Sequence, residues 1–157
     1  MKFLLYSVGK PNEPYVSEGI SLFTKRIQAY FPVSWTIIPL PKNSGQLPAE
    51  LNKIKEGELI LDLIKKDDYL VLMDERGKMF QSETLSNFIQ QRANEGVRNL
   101  IFLIGGAYGV SDEVKQRANF TWSLSELVFP HQLVRLILSE QLYRACTILR
   151  NEKYHHS

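Results

Sequence analysis

Short apolar runs alternate with longer stretches of helical period along most of the chain. The runs are bounded by turn residues, and the middle ones are nearly all apolar, which is typical of strands covered on both faces. This alternation predicts an α/β fold in which helices flank a mostly parallel sheet. The five predicted strands are KFLLYSV (2–8), VSWTIIPL (33–40), YLVLM (69–73), NLIFLIG (99–105) and FTWSLS (120–125).

Each predicted helix has a start signal, either a proline in the first turn or a side chain that can cap free backbone N–H groups. The first helix is expected to reach about Tyr30. In the second, we expect the inward-facing residues to be Leu51, Ile54, Leu59 and Leu63. The apolar face of the last helix is wide enough to pack on a second subunit as well as on its own sheet. The start signals are Asn12 with Pro14, Pro48, Ser82, Ser111 and Pro130.

Length and composition indicate one soluble domain over residues 1–157, since 44% of the residues are hydrophobic and 23% are charged. No apolar run approaches the length of a membrane span, and the first residues are charged too early for a signal peptide, so we expect a cytoplasmic protein without a membrane partner. The single cysteine, Cys146, cannot form an internal disulfide and is interpreted as a core thiol.

Net charge is only +2, too weak by itself to indicate nucleic-acid binding. The C-terminal stretch is nevertheless basic. Residues 131–157 hold four bases (Arg135, Arg144, Arg150 and Lys153) against two acids. Charge alone favours solvated helix faces as the explanation.

Three segments follow the later strands, where ligands bind in open α/β sheets. They are DERGK (74–78), GGAYG (105–109) and ELVFPH (126–131). The glycines of GGAYG allow the backbone to turn tightly and to approach a ligand. Most Gly-Gly pairs after a strand are nevertheless only turns. The charged segment is expected to be a loop at the rim of a pocket, without a chemical role.

Several site classes are excluded. The first strand-to-helix turn, VGKPNEP, has no dinucleotide fingerprint, and the chain has neither a phosphate-binding Walker loop nor a G-x-S-x-G elbow. The three histidines and the carboxylates lack metal-ligand spacing, so no metal is predicted.

The segments LIGGAYGVSDEV and WSLSELVFPHQLVRLILSEQLYRACTILRNEKYHH, together with MKFLLYSVGK and DERGK, carry a resemblance that covers the whole chain. The sequence resembles the RlmH family of SPOUT methyltransferases. That resemblance implies methyl transfer from S-adenosyl-L-methionine to N3 of a pseudouridine in a stem-loop of 23S ribosomal RNA. It also implies a homodimer and a deep trefoil knot formed by the C-terminal part of the chain.

The resemblance places cofactor contacts on the three segments after the strands, where apolar side chains and exposed backbone would form a slot for adenine. The tail NEKYHH departs from a family pattern that commonly has a glycine and a proline, but Asn151 can still take the left-handed conformation that ends a helix. The implied cofactor residues are Met73, Gly105, Leu124, Ser125, Glu126, Leu127, Val128 and Phe129.

Pseudouridine N3 is a poor nucleophile while protonated. The reaction therefore requires a base that removes the N3 proton, or cations that stabilise the anion formed when it leaves. His155 is the candidate for the proton or for orienting the nucleobase, against the alternative of a frayed terminus. Tyr154 could stack on a base. Arg135 and Arg144 could meet phosphate or the developing oxyanion. For both, the alternative is a surface arginine that pairs with Glu140 or Glu126, and for Arg135 this alternative is at least as well supported.

In the dimer that the resemblance implies, the tail of one subunit would reach the cofactor segments of the other. Weak overall charge suggests that much recognition depends on shape supplied by a larger particle, so 23S ribosomal RNA within the large subunit or the whole ribosome is the expected substrate. Two alternatives stay open. One is a noncatalytic RNA-binding or ribosome-assembly protein with the same fold, and the other is a small-molecule enzyme with a nucleotide cofactor, which the missing fingerprints disfavour.

Overall fold

A computed structural model describes residues 1–156, in which strands and helices alternate as expected. The strands are β1 (Lys2–Val8), β2 (Val33–Ile38), β3 (Tyr69–Met79), β4 (Asn99–Ile104) and β5 (Phe120–Ser123). The helices are α1 (Pro14–Ile27), α2 (Ala49–Leu63), α3 (Ser82–Asn94), α4 (Asp112–Arg117) and α5 (His131–Leu149), with a short 3₁₀ turn at Ser44–Gln46. The prediction of an α/β fold is confirmed.

The strands form one sheet in the order β2-β1-β4-β3-β5, and each neighbouring pair is parallel. Parallel pairing brings the carboxyl ends of the strands to one edge. Met73 of β3 pairs with Ile104 of β4 and Trp122 of β5, so the segments that leave these three strands start side by side.

Side chains alternate between two apolar cores, one on each face of the sheet. The first holds Phe3, Phe102 and Leu138, and α1, α3 and α5 contribute to it. The second holds Tyr6, Leu103 and Val114, and it is covered by α2 and α4. Burial of nearly every position in β4 explains its continuous apolar sequence.

Strand β3 is longer than expected. DERGK was predicted as a loop, but β3 continues to Met79 because Lys78 and Met79 pair with Trp122 and Ser123 after an irregularity in register between Met73 and Lys78. The charged residues of this irregular segment lie near the carboxyl edge of the sheet.

Two predicted helix caps are wrong. Helix α1 begins at Pro14 as predicted, but Glu13 and not Asn12 lies at the cap position, and the Asn12 side chain accepts a hydrogen bond from α5. Ser82 is the first residue of α3, not its cap, and its hydroxyl donates to the Gln141 amide oxygen on α5. Ser111 caps α4 as predicted, since its hydroxyl accepts from Val114 N–H.

The predicted inward face of α2 is also wrong. The four residues expected in the core are 39–52% exposed, whereas Asn52, Glu56, Gly57 and Ile60 are buried. The Asn52 amide donates to the carbonyls of Ser44 and Leu47, so polar contacts with the preceding turn help set which face points inward. The outward-facing residues are Leu51, Ile54, Leu59 and Leu63.

Candidate functional site

A cavity of about 510 Å³ lies at the carboxyl ends of β3, β4 and β5. It is formed mainly by residues 72–76, 104–110 and 122–129, the three segments singled out from the sequence. Its volume is within the usual range of small-molecule sites. Seven of the eight predicted cofactor residues line it, whereas Glu126 is exposed and lies outside the lining.

The glycine loop, residues 105–109, packs too tightly for side chains at its start. A Cβ on Gly105 would lie 2.6 Å from the Val110 side chain, and one on Gly106 would clash with the Glu56 carboxylate. Gly109 has a φ of 86°, in the left-handed region that favours glycine. The loop therefore presents backbone to the cavity.

A serine turn shapes the wall after β5. The Ser123 hydroxyl donates to the Ser125 carbonyl over 3.0 Å, and the Ser125 hydroxyl accepts from Leu127 N–H over 3.0 Å. The turn leaves Leu127 and Val128 70% and 81% exposed. Exposed apolar side chains beside accessible backbone are what a slot for a flat heteroaromatic ring requires.

Polar groups also line the cavity, and sequence reasoning did not assign them to it. They include Lys53, Lys115 and His131. Burial, and secondarily the charge of Arg135, lowers the pKa of His131. Its place in the ELVFPH segment was the available signal, but no pattern in the sequence brings Lys53 of α2 to this edge.

Four side chains near the end of the chain form a compact cluster, which Glu83 of α3 joins. The Arg144 guanidinium donates to Glu140 through Nε and Nη2, at 3.0 and 2.5 Å, and its Nη1 lies 3.2 Å from His155 Nδ1. The Tyr154 hydroxyl donates to the same Glu140 oxygen over 3.1 Å. His155 Nε2 lies 2.8 Å from Glu83 Oε1. We call these five residues the tail cluster.

The tail cluster orders the end of the chain. Asn151 has a φ of 54°, the left-handed conformation predicted to end α5. Tyr154 then lies under the Arg144 guanidinium, whose carbon is 4.8 Å from the ring centroid. His155 is only 17% exposed in its side chain. These contacts contradict the frayed-terminus alternative for Tyr154 and His155.

The predicted catalytic residues do not meet the cavity within one chain. Tyr154, His155 and Arg144 are held in the tail cluster, which contributes no residue to the cavity lining. The pairing with Glu140 that was the alternative for Arg144 is present. The catalytic roles of the three residues stay predictions.

Arg135 lies apart from both groups and is 1% exposed. Its guanidinium donates to the Ser7 hydroxyl, the Lys10 carbonyl and the Asn12 amide oxygen. The alternative of a surface ion pair is therefore wrong. The predicted contact with RNA stays a prediction, and the contacts within the chain favour a structural role.

Solved structures share this fold. The tRNA (m1G37) methyltransferase from Aquifex aeolicus superposes with a TM-score of 0.53 at 14% identity, over 92% of this chain and 70% of that one. A probable methylase family protein from Haemophilus influenzae gives a TM-score of 0.51 at 9% identity, over 99% and 70% of the two chains. The fold and the cavity thus define an α/β protein with the architecture of these proteins and a cavity at the carboxyl ends of its strands.

Sequence comparisons assign the chain to a family. Residues 1–155 match the family described as "Predicted SPOUT methyltransferase". The chain is 47% identical over 156 residues to proteins named Ribosomal RNA large subunit methyltransferase H from Cytophaga hutchinsonii and Christiangramia forsetii, with at least 99% of each chain covered. The protein of that name from Trichlorobacter lovleyi is 40% identical over 99% of this chain and 100% of its own length. The chain belongs to the SPOUT methyltransferase family.

Proposed function

We propose that this chain transfers a methyl group from S-adenosyl-L-methionine to 23S ribosomal RNA of the large subunit. We further propose that the acceptor is N3 of a pseudouridine in a stem-loop. Family membership and the name shared by relatives at 40–47% identity support the class of substrate. The observation that carries the proposal is the cavity at the strand ends, formed by the segments that the family resemblance had assigned to the cofactor.

The cavity lining fits this cofactor. Gly105 and Gly106 leave backbone groups uncovered by side chains, and Leu124, Leu127 and Val128 supply an apolar wall. Adenine could lie between them with its polar edge against the backbone. When bound, S-adenosyl-L-methionine supplies an electrophilic methyl group on a sulfonium. The chain's own residues would then hold the donor in line with the acceptor nitrogen.

The tail cluster has the chemistry that the acceptor requires. Two N–H groups of Arg144 donate to Glu140 and one contacts His155. The side chain of Arg144 is 25% exposed. Its remaining N–H groups could therefore stabilise an anion on the acceptor base. The imidazole of His155 could accept the N3 proton or orient the base. Tyr154 would pack against RNA or hold Arg144 in place.

We propose a homodimer that acts in the cytoplasm on the assembled ribosome. The separation between cavity and tail cluster supports a site shared between two subunits, and α5 carries partly exposed apolar residues that a second copy could cover. The C-terminal trefoil knot is proposed from the family resemblance.

Two measurements test the proposal. Titration calorimetry should detect binding of S-adenosyl-L-methionine but not of NAD. The purified protein should methylate one nucleotide of ribosomes taken from cells that lack this protein, and mass spectrometry maps that nucleotide. RNA affinity without binding of the methyl donor would instead support the noncatalytic alternative.

A further inference from the structure

The contact between His155 and Glu83 joins the tail to α3 across 72 positions of sequence. Glu83 lies in the first turn of α3. Its carboxylate approaches His155 Nε2 within 2.8 Å, while Arg144 Nη1 is 3.2 Å from Nδ1 on the opposite side of the ring. The imidazole of His155 is therefore held at both nitrogens.

The two partners specify one tautomer of the neutral ring. An ionised carboxylate only accepts hydrogen bonds, so Nε2 must carry the hydrogen that lies towards Glu83. A guanidinium only donates, so Nδ1 must offer its lone pair to Arg144. The hydrogen bond with His155 in turn holds the pKa of the Glu83 carboxyl below its ordinary value.

We propose that Glu83 is a positioning residue for methyl transfer, which fixes the Nε2–H tautomer of His155 and keeps Nδ1 as the acceptor that faces Arg144. This inference rests on the proposed function of the tail cluster. Glu83 would not touch the methyl donor or the RNA. Its effect would pass through His155, in the way that a carboxylate orients the histidine of a hydrolase triad.

The tautomer matters in either role considered for His155. If Arg144 turns its donors to the acceptor base, Nδ1 becomes free to take the N3 proton, and the resulting imidazolium keeps its Nε2–H bond to Glu83. The N3 electron pair then forms the bond to the methyl carbon as the carbon–sulfur bond breaks, which leaves a neutral thioether. If His155 only orients Arg144, the Nδ1 lone pair is still what holds the guanidinium.

An ordinary surface ion pair is the competing explanation, because the Glu83 side chain is 45% exposed. Exposed pairs contribute little to stability. Under that explanation, loss of the Glu83 carboxylate would leave both turnover and the His155 tautomer unchanged.

The test uses the full chain with Glu83→Ala and Glu83→Gln, and with Glu58→Gln as a control for loss of an exposed carboxylate on α2. Steady-state kinetics on ribosomes separate kcat from KM, and calorimetry measures affinity for S-adenosyl-L-methionine. The tautomer of His155 is observed directly from its ring nitrogens by ¹⁵N NMR, and His155→Gln assigns the signals among the three histidines of the chain.

We expect Glu83→Ala to lower kcat on the order of tenfold to a hundredfold, with unchanged affinity for the methyl donor. Glu83→Gln should retain more activity, because its amide oxygen can still accept from Nε2–H. Glu58→Gln should behave as wild type. The NMR signals of His155 should report hydrogen on Nε2 in the wild type and a tautomer mixture in Glu83→Ala.

A wild-type kcat in Glu83→Ala, or hydrogen on Nδ1 of His155 in the wild-type protein, would overturn the inference. Failure of the proposed function has a different signature, since wild-type protein would then methylate no ribosome. In that case the NMR measurement still decides whether Glu83 sets the tautomer of His155.

Discussion

Arg135 Nε donates a 2.7 Å hydrogen bond to the Ser7 hydroxyl, which joins α5 to β1 across 128 positions of sequence. Nη1 of the same guanidinium donates to Lys10 and Asn12 in the connection between β1 and α1. One side chain therefore fastens the last helix to the first strand and to the loop that follows it. Burial lowers the pKa of Arg135, but an arginine still keeps its charge at neutral pH.

Replacement of Arg135 by alanine should lower the free energy of unfolding by about 2–5 kcal/mol, because buried hydrogen-bond partners lose their donor and a cavity is left. Arg135→Lys should recover only part of this loss, since an ammonium lacks the planar fork of a guanidinium. Urea denaturation measures both, and the exposed Arg98→Ala is the matched control. Near-wild-type stability of Arg135→Ala would show that these contacts do not hold α5 in place.

A second prediction concerns Gly77, where β3 passes close to β5. A Cβ at this position would lie 2.7 Å from the Thr121 carbonyl carbon and oxygen and the Trp122 nitrogen. Backbone atoms of a neighbouring strand cannot rotate away, so Gly77→Ala should cost about 1–3 kcal/mol of stability. It should also weaken binding of the methyl donor, because Trp122 lines the cavity.

Gly45→Ala provides the control for Gly77→Ala, since a Cβ at Gly45 would meet no atom within 4 Å. Thermal unfolding of the two variants beside the wild type decides the question. Equal unfolding midpoints for both variants would mean that a Cβ at Gly77 fits between β3 and β5 without loss of stability.

The fold could be predicted largely because buried strands and helices leave periodic patterns in a sequence. The extension of β3 through Lys78 could not, because its residues are charged and only pairing with β5 makes them a strand. The inward face of α2 was missed for a related reason. Glu56 and Gly57 pack against the glycine loop and Ser111, contacts that depend on elements far away in the chain.

Part of the candidate site could likewise be predicted from the sequence, and part could not. The cavity segments could be located because ligands bind where parallel strands end. His155 and Arg144 were named from family resemblance, but their partner Glu83 was not. Glu83 lies 72 residues before His155, and only the packing of α3 beside α5 brings the two together. A chain path such as the proposed knot likewise leaves no periodic trace.

Cys146 gives a third prediction, which concerns pH. Burial raises the pKa of its thiol from 9.0 to about 12, so the folded protein holds the thiol protonated at pH 8. A folded-state pKa above the unfolded value stabilises the native state below pH 9. That contribution is lost progressively as the pH rises from about 9 towards 12.

We therefore expect no reaction of the native protein with a thiol-specific disulfide reagent at pH 8, and reaction of one thiol per chain after denaturation. The free energy of unfolding should fall above pH 9, and less steeply in Cys146→Ala than in the wild type. Rapid labelling of the native protein would contradict the buried position of this thiol.

The last prediction tests whether the cavity of one subunit works with the tail of another. His155→Ala, or truncation after Arg150, should reduce methyl transfer far more than binding of S-adenosyl-L-methionine, because His155 is not in the cavity lining. Val128→Glu should have the opposite profile. Its side chain is 81% exposed, so folding should tolerate the charge while the apolar wall of the cavity would not.

Each variant alone should be inactive, but co-expression of Val128→Glu with His155→Ala should restore about a quarter of wild-type activity if sites are shared. Half of randomly paired dimers would be mixed, and each mixed dimer would contain one intact cavity facing one intact tail. If the two parts instead worked within a single chain, every site would carry one defect and the mixture would stay inactive. Methylation assays on the separately tagged, doubly purified heterodimer, which should reach about half of wild-type activity because one of its two sites is intact, distinguish these outcomes. A folded but inactive heterodimer would rule out the shared site.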